Sequence, residues 1–215
     1  MEVAITMKNI IIGVASLLIL LAVVAAYQLS KWFGVSSGSK IQAYQNPKSA
    51  VLIMDMQKEF SDTAQKIIDQ VNKAIEHLSA KNVLPVYIKT QYSGSDLILN
   101  FIRKNSALEG SAGVDFCDGV KIASGDIFTK DRMDAFANPS LDEFLMKNQI
   151  DSLYIAGLDG CYCVNKTVRA ALNRGYKVTI ISDATASKKE PEFSAIKEEF
   201  KTAGVNFVSV SDLIK

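Results

Sequence analysis

The sequence predicts a three-layer α/β domain with a parallel sheet of about six strands, preceded by one N-terminal transmembrane helix. Two observations carry this prediction. Past residue 48, short apolar runs alternate with segments of helical periodicity, the order that produces parallel strands joined by right-handed crossover helices. Before it, the window from Asn9 to Ser30 contains no charged residue and is long enough, as a helix, to cross a hydrocarbon core about 30 Å thick.

The N-terminal segment is interpreted as a membrane anchor (residues 1–33), followed by a linker (residues 34–48) and a soluble domain (residues 49–215). Two other interpretations of the apolar run stay open: a cleavable signal peptide, because "VVAAY" offers small residues after it, and a buried core helix, which the lack of a polar face disfavours. Three lysines after the run outnumber Lys8 before it, which favours a single-pass membrane protein with its domain on the cytoplasmic side.

Strands and helices of the soluble domain are predicted from β-rich runs and from apolar periodicity. The predicted strands cover residues 50–55, 83–90, 126–130, 152–157, 177–184 and 206–213, and the predicted helices residues 63–81, 139–148, 162–174 and 190–203. The stretch 91–125 is long and weakly periodic, which is typical of a lid or a binding segment. About 165 residues suffice for one substantial core.

Three reactive side chains fall at predicted carboxyl ends of strands, where open parallel sheets bind their ligands. Asp55 ends the first strand, Lys130 ends the third, and Cys163 follows the fourth at the start of a helix. Each alone has an ordinary explanation as a helix cap, a solvated cation or a small buried thiol. Together they indicate nucleophilic catalysis, because a helix amino terminus and an ammonium favour a thiolate, and a carboxylate accepts the thiol proton.

The three cysteines are too few and odd in number for a disulfide framework, which agrees with a reducing compartment. If the helix begins near Tyr162, Cys163 lies in its first turn and Cys161 precedes that turn. Cys161 and Cys117 are interpreted as structural. No metal site is predicted, since Cys-x-Cys alone lacks two further ligands and His77, the only histidine, falls within a predicted helix.

The soluble domain resembles the isochorismatase-like hydrolases, also called nicotinamidase-related cysteine hydrolases, over essentially its whole length. The motifs that carry the resemblance are "AVLIMDMQKEF", "FTKDRMDAF" and "IAGLDGCYCVNKTVRAALNRGYKVTIISDA", in that order. The family pattern of small and reactive residues falls on Gly157, Cys163, Val164 and Thr167. The resemblance implies a Rossmann-like sheet of order 3-2-1-4-5-6 and a hydrolase that cleaves the C–N bond of a small amide or carbamoyl-type substrate.

The resemblance also implies a catalytic triad. Asp55 would accept the thiol proton, Lys130 would hold and tune the pair, and the Cys163 thiolate would attack a carbonyl carbon to give a thioester intermediate. The oxyanion formed on the way would be bound by the backbone N–H groups of Asp159 and Cys163. A cis peptide bond between Leu158 and Asp159 belongs to the same pattern.

Candidate substrate contacts rest on the same resemblance. Phe60 matches a pocket position of the family, Gln57 lies close to it in the same motif, and Phe136, Tyr92 and Tyr162 are aromatic candidates. Metal-containing nicotinamidases carry an Asp-x-His motif and further histidines after the second strand, where "KTQYSGSDLILNF" has none. We therefore expect no catalytic metal, no cofactor and a substrate other than nicotinamide.

Two rival functions stay open: a metal-free isochorismatase-type hydrolase of a non-amide bond, and an inactive membrane-tethered binding module. A nucleotide-binding domain is disfavoured, because neither G-x-G-x-x-G after the first strand nor G-x-x-x-x-G-K-[ST] occurs. The formal net charge of +1 gives no indication of a nucleic-acid partner. The expected partners are a small-molecule substrate and, through the N-terminal helix, a membrane. A homo-oligomer is compatible with the resemblance, although the sequence identifies no interface.

Overall fold

A six-stranded parallel sheet forms the centre of the computed structural model, which describes residues 2–215. The order across the sheet is β3-β2-β1-β4-β5-β6, and every neighbouring pair is parallel. The three-layer fold and this strand order confirm the prediction from the sequence. The strands are β1 (Lys48–Met54), β2 (Leu84–Thr90), β3 (Ile127–Lys130), β4 (Ile150–Gly157), β5 (Lys177–Thr185) and β6 (Asn206–Val208).

Helices cover both faces of the sheet, because successive residues of a buried strand point to opposite faces. In β1, Val51 and Ile53 pack in the core with α3 and α8, whereas Leu52 and Met54 pack in the core with α5, α6 and α7. The helices are α1 (Glu2–Phe33), α2 (Ser61–Ala64), α3 (Ile68–Ala80), α4 (Leu97–Ile102), α5 (Pro139–Lys147), α6 (Asn165–Arg174), α7 (Glu190–Thr202) and α8 (Val210–Ile214).

The predicted elements differ from the structure in two places. The predicted helix 63–81 is divided by a turn into α2 and α3. The predicted strand 206–213 ends at Val208 and is followed by α8, because Ser209 and Asp212 form a reciprocal capping box that starts a helix. The alternation of apolar residues in this short run does not distinguish the two structures, whereas the capping pair decides between them.

The N-terminal helix α1 is long and apolar enough to span a membrane. Its apolar part, Met7–Phe33, has 27 residues and a mean hydropathy of 2.8, and its most apolar window is not buried against the rest of the protein. A signal sequence near an N-terminus meets the same criteria of length and composition. The absence of burial removes the third interpretation, because a core helix of a soluble domain packs against other elements.

The segment between α1 and β1, residues 34–47, contains no helix or strand but is held firmly against the domain. Ser36 N–H donates to Asp134 Oδ2 at 2.7 Å, and Ser36 O accepts from Arg174 Nη1 at 3.1 Å. Further along, Ile41 N–H donates to Arg174 O at 2.8 Å. Arg174 itself forms two hydrogen bonds with the Asp142 carboxylate, which fixes its position. Residues Ser36 to Ile41 therefore follow the surface of the domain.

Candidate active site

Asp55, Lys130 and Cys163 lie together at the carboxyl edge of the sheet. Asp55 directly follows β1, Lys130 is the last residue of β3, and Cys163 belongs to a helical turn, Gly160–Val164, that joins β4 to α6. Lys130 Nζ lies 3.0 Å from Asp55 Oδ2 and donates a hydrogen bond of 3.1 Å to Cys163 Sγ. Because parallel strands end at one edge, three residues distant in sequence form one charged cluster.

Thr90, the last residue of β2, links the two charged groups and is not among the residues that the sequence predicts. Its hydroxyl donates to Asp55 Oδ1 at 2.8 Å and accepts from Lys130 Nζ at 2.6 Å. All three residues are buried, so the charges are compensated within the protein and not by water. Only its position in the sequence could have predicted this role, because Thr90 is the last residue of a predicted strand and lies at the same edge as Asp55.

The surroundings of Cys163 disfavour its thiolate form. Burial raises the pKa of Cys163 to about 12; the positive charge of Lys130 opposes this shift and the negative charge of Asp55 adds to it. Burial acts to lower the pKa of Lys130, but the negative charge of Asp55 opposes this effect, and that pKa is raised above its ordinary value. The ammonium of Lys130 therefore opposes the upward shift without cancelling it.

The turn after β4 is fixed by its backbone geometry. Gly157 has φ of 109°, and a Cβ at this position would collide with the backbone of β1. Only glycine therefore allows the end of β4 to approach β1 this closely. The Leu158–Asp159 peptide bond is cis, as the resemblance implies. The Asp159 carboxylate then caps the following turn, since its Oδ1 accepts from Cys161 N–H at 2.9 Å and from Ser187 Oγ at 2.6 Å.

The backbone next to Cys163 presents N–H groups at the start of the helical turn. Within residues 2–215, the N–H of Asp159 donates to no acceptor. The N–H groups of Tyr162 and Val164 both donate to the carbonyl oxygen of Asp159, at 3.0 Å each, which closes the turn around Cys163. One N–H group at this position is thus available to an external acceptor.

Thr167, the last residue of the family pattern, has a structural role in the described geometry. It is fully buried in α6, and its Oγ1 accepts a hydrogen bond from the N–H of Ala135 at 3.0 Å. Ala135 lies in the loop that follows β3, five residues after Lys130. The bond therefore holds the helix that follows Cys163 against the loop that follows Lys130.

A cavity of about 530 Å³ reaches Asp55 and Cys163, and this size suits a small organic molecule. Asp55, Thr90 and Cys163 line it at the strand ends, and Lys188 and Lys189 contribute from the loop after β5. The opposite wall comes from α1 and from the segment that follows β2. Two distant parts of the chain are therefore needed to complete one site.

Trp32 and Phe33, the last two residues of α1, belong to that wall. Trp32 Nε1 donates to Tyr92 Oη at 3.2 Å, and the carbonyl of Trp32 accepts from Met133 N–H at 3.4 Å. The Arg103 guanidinium lies 3.6 Å from the centroid of the Tyr92 ring and 5.4 Å from that of Trp32. The sequence offers no signal that Trp32 contacts the cavity.

Comparison with known families shows which proteins are similar to this chain. The model of the isochorismatase domain family matches residues 49–212. The chain belongs to the isochorismatase family. A probable inactive nicotinamidase of Arabidopsis thaliana is 25% identical over 176 residues, which cover 73% of this chain and 90% of that protein. Membership of the isochorismatase family therefore does not by itself establish activity.

Solved structures of the isochorismatase-like fold superimpose on this chain. N-carbamoylsarcosine amidase from Thermoplasma acidophilum has a TM-score of 0.68 and 25% identity, and the match covers 76% of this chain and 96% of that one. Pyrazinamidase of Pyrococcus horikoshii, solved with zinc, has a TM-score of 0.66 and 24% identity, over 76% of this chain and 99% of that one. The recognition of the isochorismatase-like hydrolases from sequence motifs is thus confirmed.

Three of the aromatic residues that the sequence proposes as substrate contacts line the cavity of this isochorismatase-family domain. They are Phe60, Tyr92 and Tyr162. Lys189 Nζ lies 5.7 Å from the centroid of the Tyr162 ring, so this wall combines an aromatic face with a positive charge. The cavity wall is therefore largely apolar, with cations at its edge.

Two other proposed contacts do not line the cavity. The Gln57 amide is used by the backbone: Nε2 donates to the carbonyls of Thr90 and Val114, and Oε1 accepts from Thr90 N–H at 2.7 Å. Gln57 thus holds the end of β2 in place and has no donor left for a ligand. Phe136 is buried in the core, where its ring centroid lies 5.7 Å from that of Tyr176.

The residues at the site do not fit a catalytic zinc ion. Within residues 2–215, no group of three or more His, Cys, Asp or Glu side chains is arranged to hold a metal. His77 lies on α3, Cys117 is buried, and Cys161 donates from Sγ to the carbonyl of Lys189 at 3.3 Å. The chemistry of this isochorismatase-family site is accordingly derived from Asp55, Lys130 and Cys163 without a metal-bound step.

Proposed function

We propose that this chain is a membrane-anchored cysteine hydrolase that cleaves the C–N bond of a small amide or carbamoyl-type substrate. One observation carries the proposal: Lys130 Nζ contacts both Asp55 Oδ2 and Cys163 Sγ at the end of a cavity of substrate size. Such a cluster of nucleophile, proton acceptor and fixed cation is what an acyl-transfer site needs. The names of the similar proteins, a probable inactive nicotinamidase and an N-carbamoylsarcosine amidase, point to the same class of bond.

The first half of the reaction forms a thioester. Asp55 Oδ2, which lies 3.0 Å from Lys130 Nζ, takes the thiol proton as Cys163 Sγ attacks the carbonyl carbon. The negative charge moves to the substrate oxygen, where the N–H groups of Asp159 and Cys163 stabilise it. Lys130 stays protonated throughout and compensates whichever of the two anionic groups carries the charge.

The second half releases both products. Protonated Asp55 gives its proton to the leaving nitrogen as the C–N bond breaks, which expels ammonia or an amine and leaves Cys163 acylated. Ionised Asp55 then removes a proton from a water molecule that attacks the thioester. The acid is released, and the proton held by Asp55 returns to Cys163 Sγ.

The anchor is part of the same proposal. The helix α1 is continuous from Glu2 to Phe33, and its last turn contributes Trp32 and Phe33 to the cavity wall. A helix that completes the site is better explained as a permanent part of the protein than as a removed signal. Lysines 31, 40 and 48 after the apolar run support a catalytic domain on the cytoplasmic side.

The proposal is tested with the full chain in detergent micelles and a panel of primary amides, N-carbamoyl amines and vinyl ethers. We expect ammonia release from at least one C–N substrate by the wild type and none by Cys163→Ala. Intact mass measured within the first turnovers should show an acyl group on the wild type. Ammonia release that persists in Cys163→Ala, or hydrolysis of vinyl ethers alone, would contradict the proposed mechanism.

A second candidate function is that of an inactive binding module. The raised pKa of Cys163 and the similarity to a probable inactive nicotinamidase favour it. This candidate predicts that the wild type and Cys163→Ala bind the same amides with equal affinity and that neither releases ammonia. An acyl adduct on Cys163 would exclude it.

A further inference from the structure

A short helix beside the cavity exposes large apolar side chains to solvent. In α4, Leu97 is 75% exposed, Phe101 86% and Ile102 48%, whereas Leu99 and Asn100 on the other side are buried. An apolar patch of this kind on a soluble domain marks an interaction surface. We call Leu97, Phe101 and Ile102 the α4 patch.

The α4 patch lies next to the end of α1. Helix α4 contacts α1, and the guanidinium of Arg103, the residue directly after α4, lies 3.6 Å from the centroid of the Tyr92 ring and 5.4 Å from that of Trp32. Arg103 and Ser106 also line the cavity. The patch, the last turn of α1 and one wall of the cavity are therefore continuous.

The length of α1 sets the level of the patch relative to a bilayer. The 27 residues of Met7–Phe33 extend roughly 40 Å as a helix, which matches a hydrocarbon core of about 30 Å together with its headgroup layers. Trp32 at the end of this segment then lies in a headgroup layer, where tryptophan is enriched. Because α4 packs against that end, the patch lies at the same depth. The exposed Lys31 and Lys104 flank it with charges that suit anionic headgroups.

We propose that the α4 patch inserts into the interfacial layer of the membrane that α1 spans, and that the cavity consequently takes amides with an alkyl or acyl chain from the bilayer. This inference rests on the proposed hydrolase and its anchor, and adds the surface and the substrate class. Each buried apolar side chain favours the bound state in proportion to its area, so Leu97 and Phe101 contribute most.

The surface is tested by fluorescence of the full chain in vesicles of phosphatidylcholine and phosphatidylglycerol with brominated acyl chains. Trp32 is the only tryptophan, so Trp32→Phe combined with Phe101→Trp places one probe in the patch. The matched control is Trp32→Phe with Met146→Trp, since Met146 is 40% exposed at the end of α5, just before β4 begins at the opposite edge of the sheet. We expect bromine to quench the Phe101→Trp probe at least about threefold more strongly than the control.

Equal quenching of the two probes would overturn the proposed surface. A Phe101→Trp emission that shifts to the blue as the protein-to-lipid ratio rises, without quenching by bromine, would also overturn it and would assign the patch to a second copy of the chain. Neither result depends on catalysis.

The substrate class is tested with Leu97→Ser combined with Phe101→Ser, two residues that do not line the cavity. We expect kcat/KM for an octanoyl amide in vesicles to fall at least about tenfold while that for the acetyl analogue is unchanged, and Met146→Ser to alter neither. An equal loss on both amides would contradict the proposal. Lipid quenching without any hydrolysis would reject the hydrolase and keep the surface, and hydrolysis without quenching would reject the surface alone.

Discussion

The two walls of the cavity are built on opposite physical principles. At the strand ends, Asp55, Thr90 and Lys130 are buried, and their polar atoms are joined by hydrogen bonds and an ion pair. On the other side, the last turn of α1 and the segment that follows β2 contribute mainly apolar and aromatic surface. The first wall needs exact geometry because an unpaired buried charge is costly, whereas the second needs only shape and polarity. Chemistry is therefore expected to depend on the first wall and substrate preference on the second.

The largest loss of activity is expected when the nucleophile, which belongs to the wall at the strand ends, is removed. Cys163→Ala is expected to lower kcat/KM by at least about 10³-fold, because no other group at the strand ends attacks the carbonyl. The melting temperature should change little, since a small, partly buried thiol is replaced by a methyl group. Ammonia release and differential scanning calorimetry on the full chain measure both. A residual rate within tenfold of the wild type would mean that Cys163 is not the nucleophile.

Removing the cation should affect stability as well as activity. Lys130→Met leaves the buried carboxylate of Asp55 without its partner, which costs about 3–5 kcal/mol in the free energy of unfolding. The matched control is Lys177→Met, because the ion pair of Lys177 with Asp151 has a lysine that is largely solvent-exposed and contributes little. Chemical denaturation compares the two variants. Equal losses in the free energy of unfolding would show that the buried ion pair of Lys130 contributes no more to stability than the exposed ion pair of Lys177.

Replacing Asp55 should make the Cys163 thiol more acidic while it abolishes catalysis. Asp55 raises the pKa of Cys163, so Asp55→Asn is expected to bring that pKa below its value of about 12 and to increase the thiolate fraction at pH 8. Alkylation of Cys163 by iodoacetamide, followed by site-resolved mass spectrometry, should therefore become faster while ammonia release is lost. Asp69→Asn on the exposed face of α3 is the control. Slower alkylation in Asp55→Asn would contradict the proposed electrostatics.

The smallest effect is expected at the wall contributed by α1. Trp32→Ala removes an aromatic face and the hydrogen bond to Tyr92, and should raise KM about tenfold with kcat within about twofold. Tyr27→Ala changes an exposed aromatic residue on the same helix and should leave both constants unchanged. Michaelis–Menten kinetics with the best substrate from the amide panel check this. A fall in kcat with constant KM would show that Trp32 orients the triad and does not bind substrate.

The sequence predicts the wall at the strand ends better than the wall formed by α1 and the segment that follows β2, for a physical reason. Parallel strands end at one edge, so the positions of Asp55, Lys130 and Cys163 follow from strand assignment, and the resemblance adds their roles. The same rule also predicts that Thr90, at the end of β2, lies at this edge. Contacts of Trp32 and Arg103 with the cavity depend on how α1 and the segment after β2 pack in space, and no local pattern encodes that packing.

The direction and burial of side chains explain the remaining differences between the predicted and the observed site. Gln57 and Phe136 stand in motifs next to the site, but proximity in sequence does not decide the direction of a side chain. Gln57 serves the backbone of β2, and Phe136 joins the core. The pKa of Cys163 likewise depends on how completely its neighbours exclude water, a property of the folded chain that spacing alone does not contain.

The hydrogen bonds at Ser36 and Ile41 have a consequence for how the proposed enzyme meets its substrate. Because Asp134 and Arg174 hold the chain directly after α1, the domain cannot swing away from the bilayer or rotate freely about a flexible tether. The entrance of the cavity then keeps a constant height and direction above the lipid. Encounter becomes diffusion in two dimensions, governed by the number of substrate molecules per unit area of membrane instead of their concentration in water.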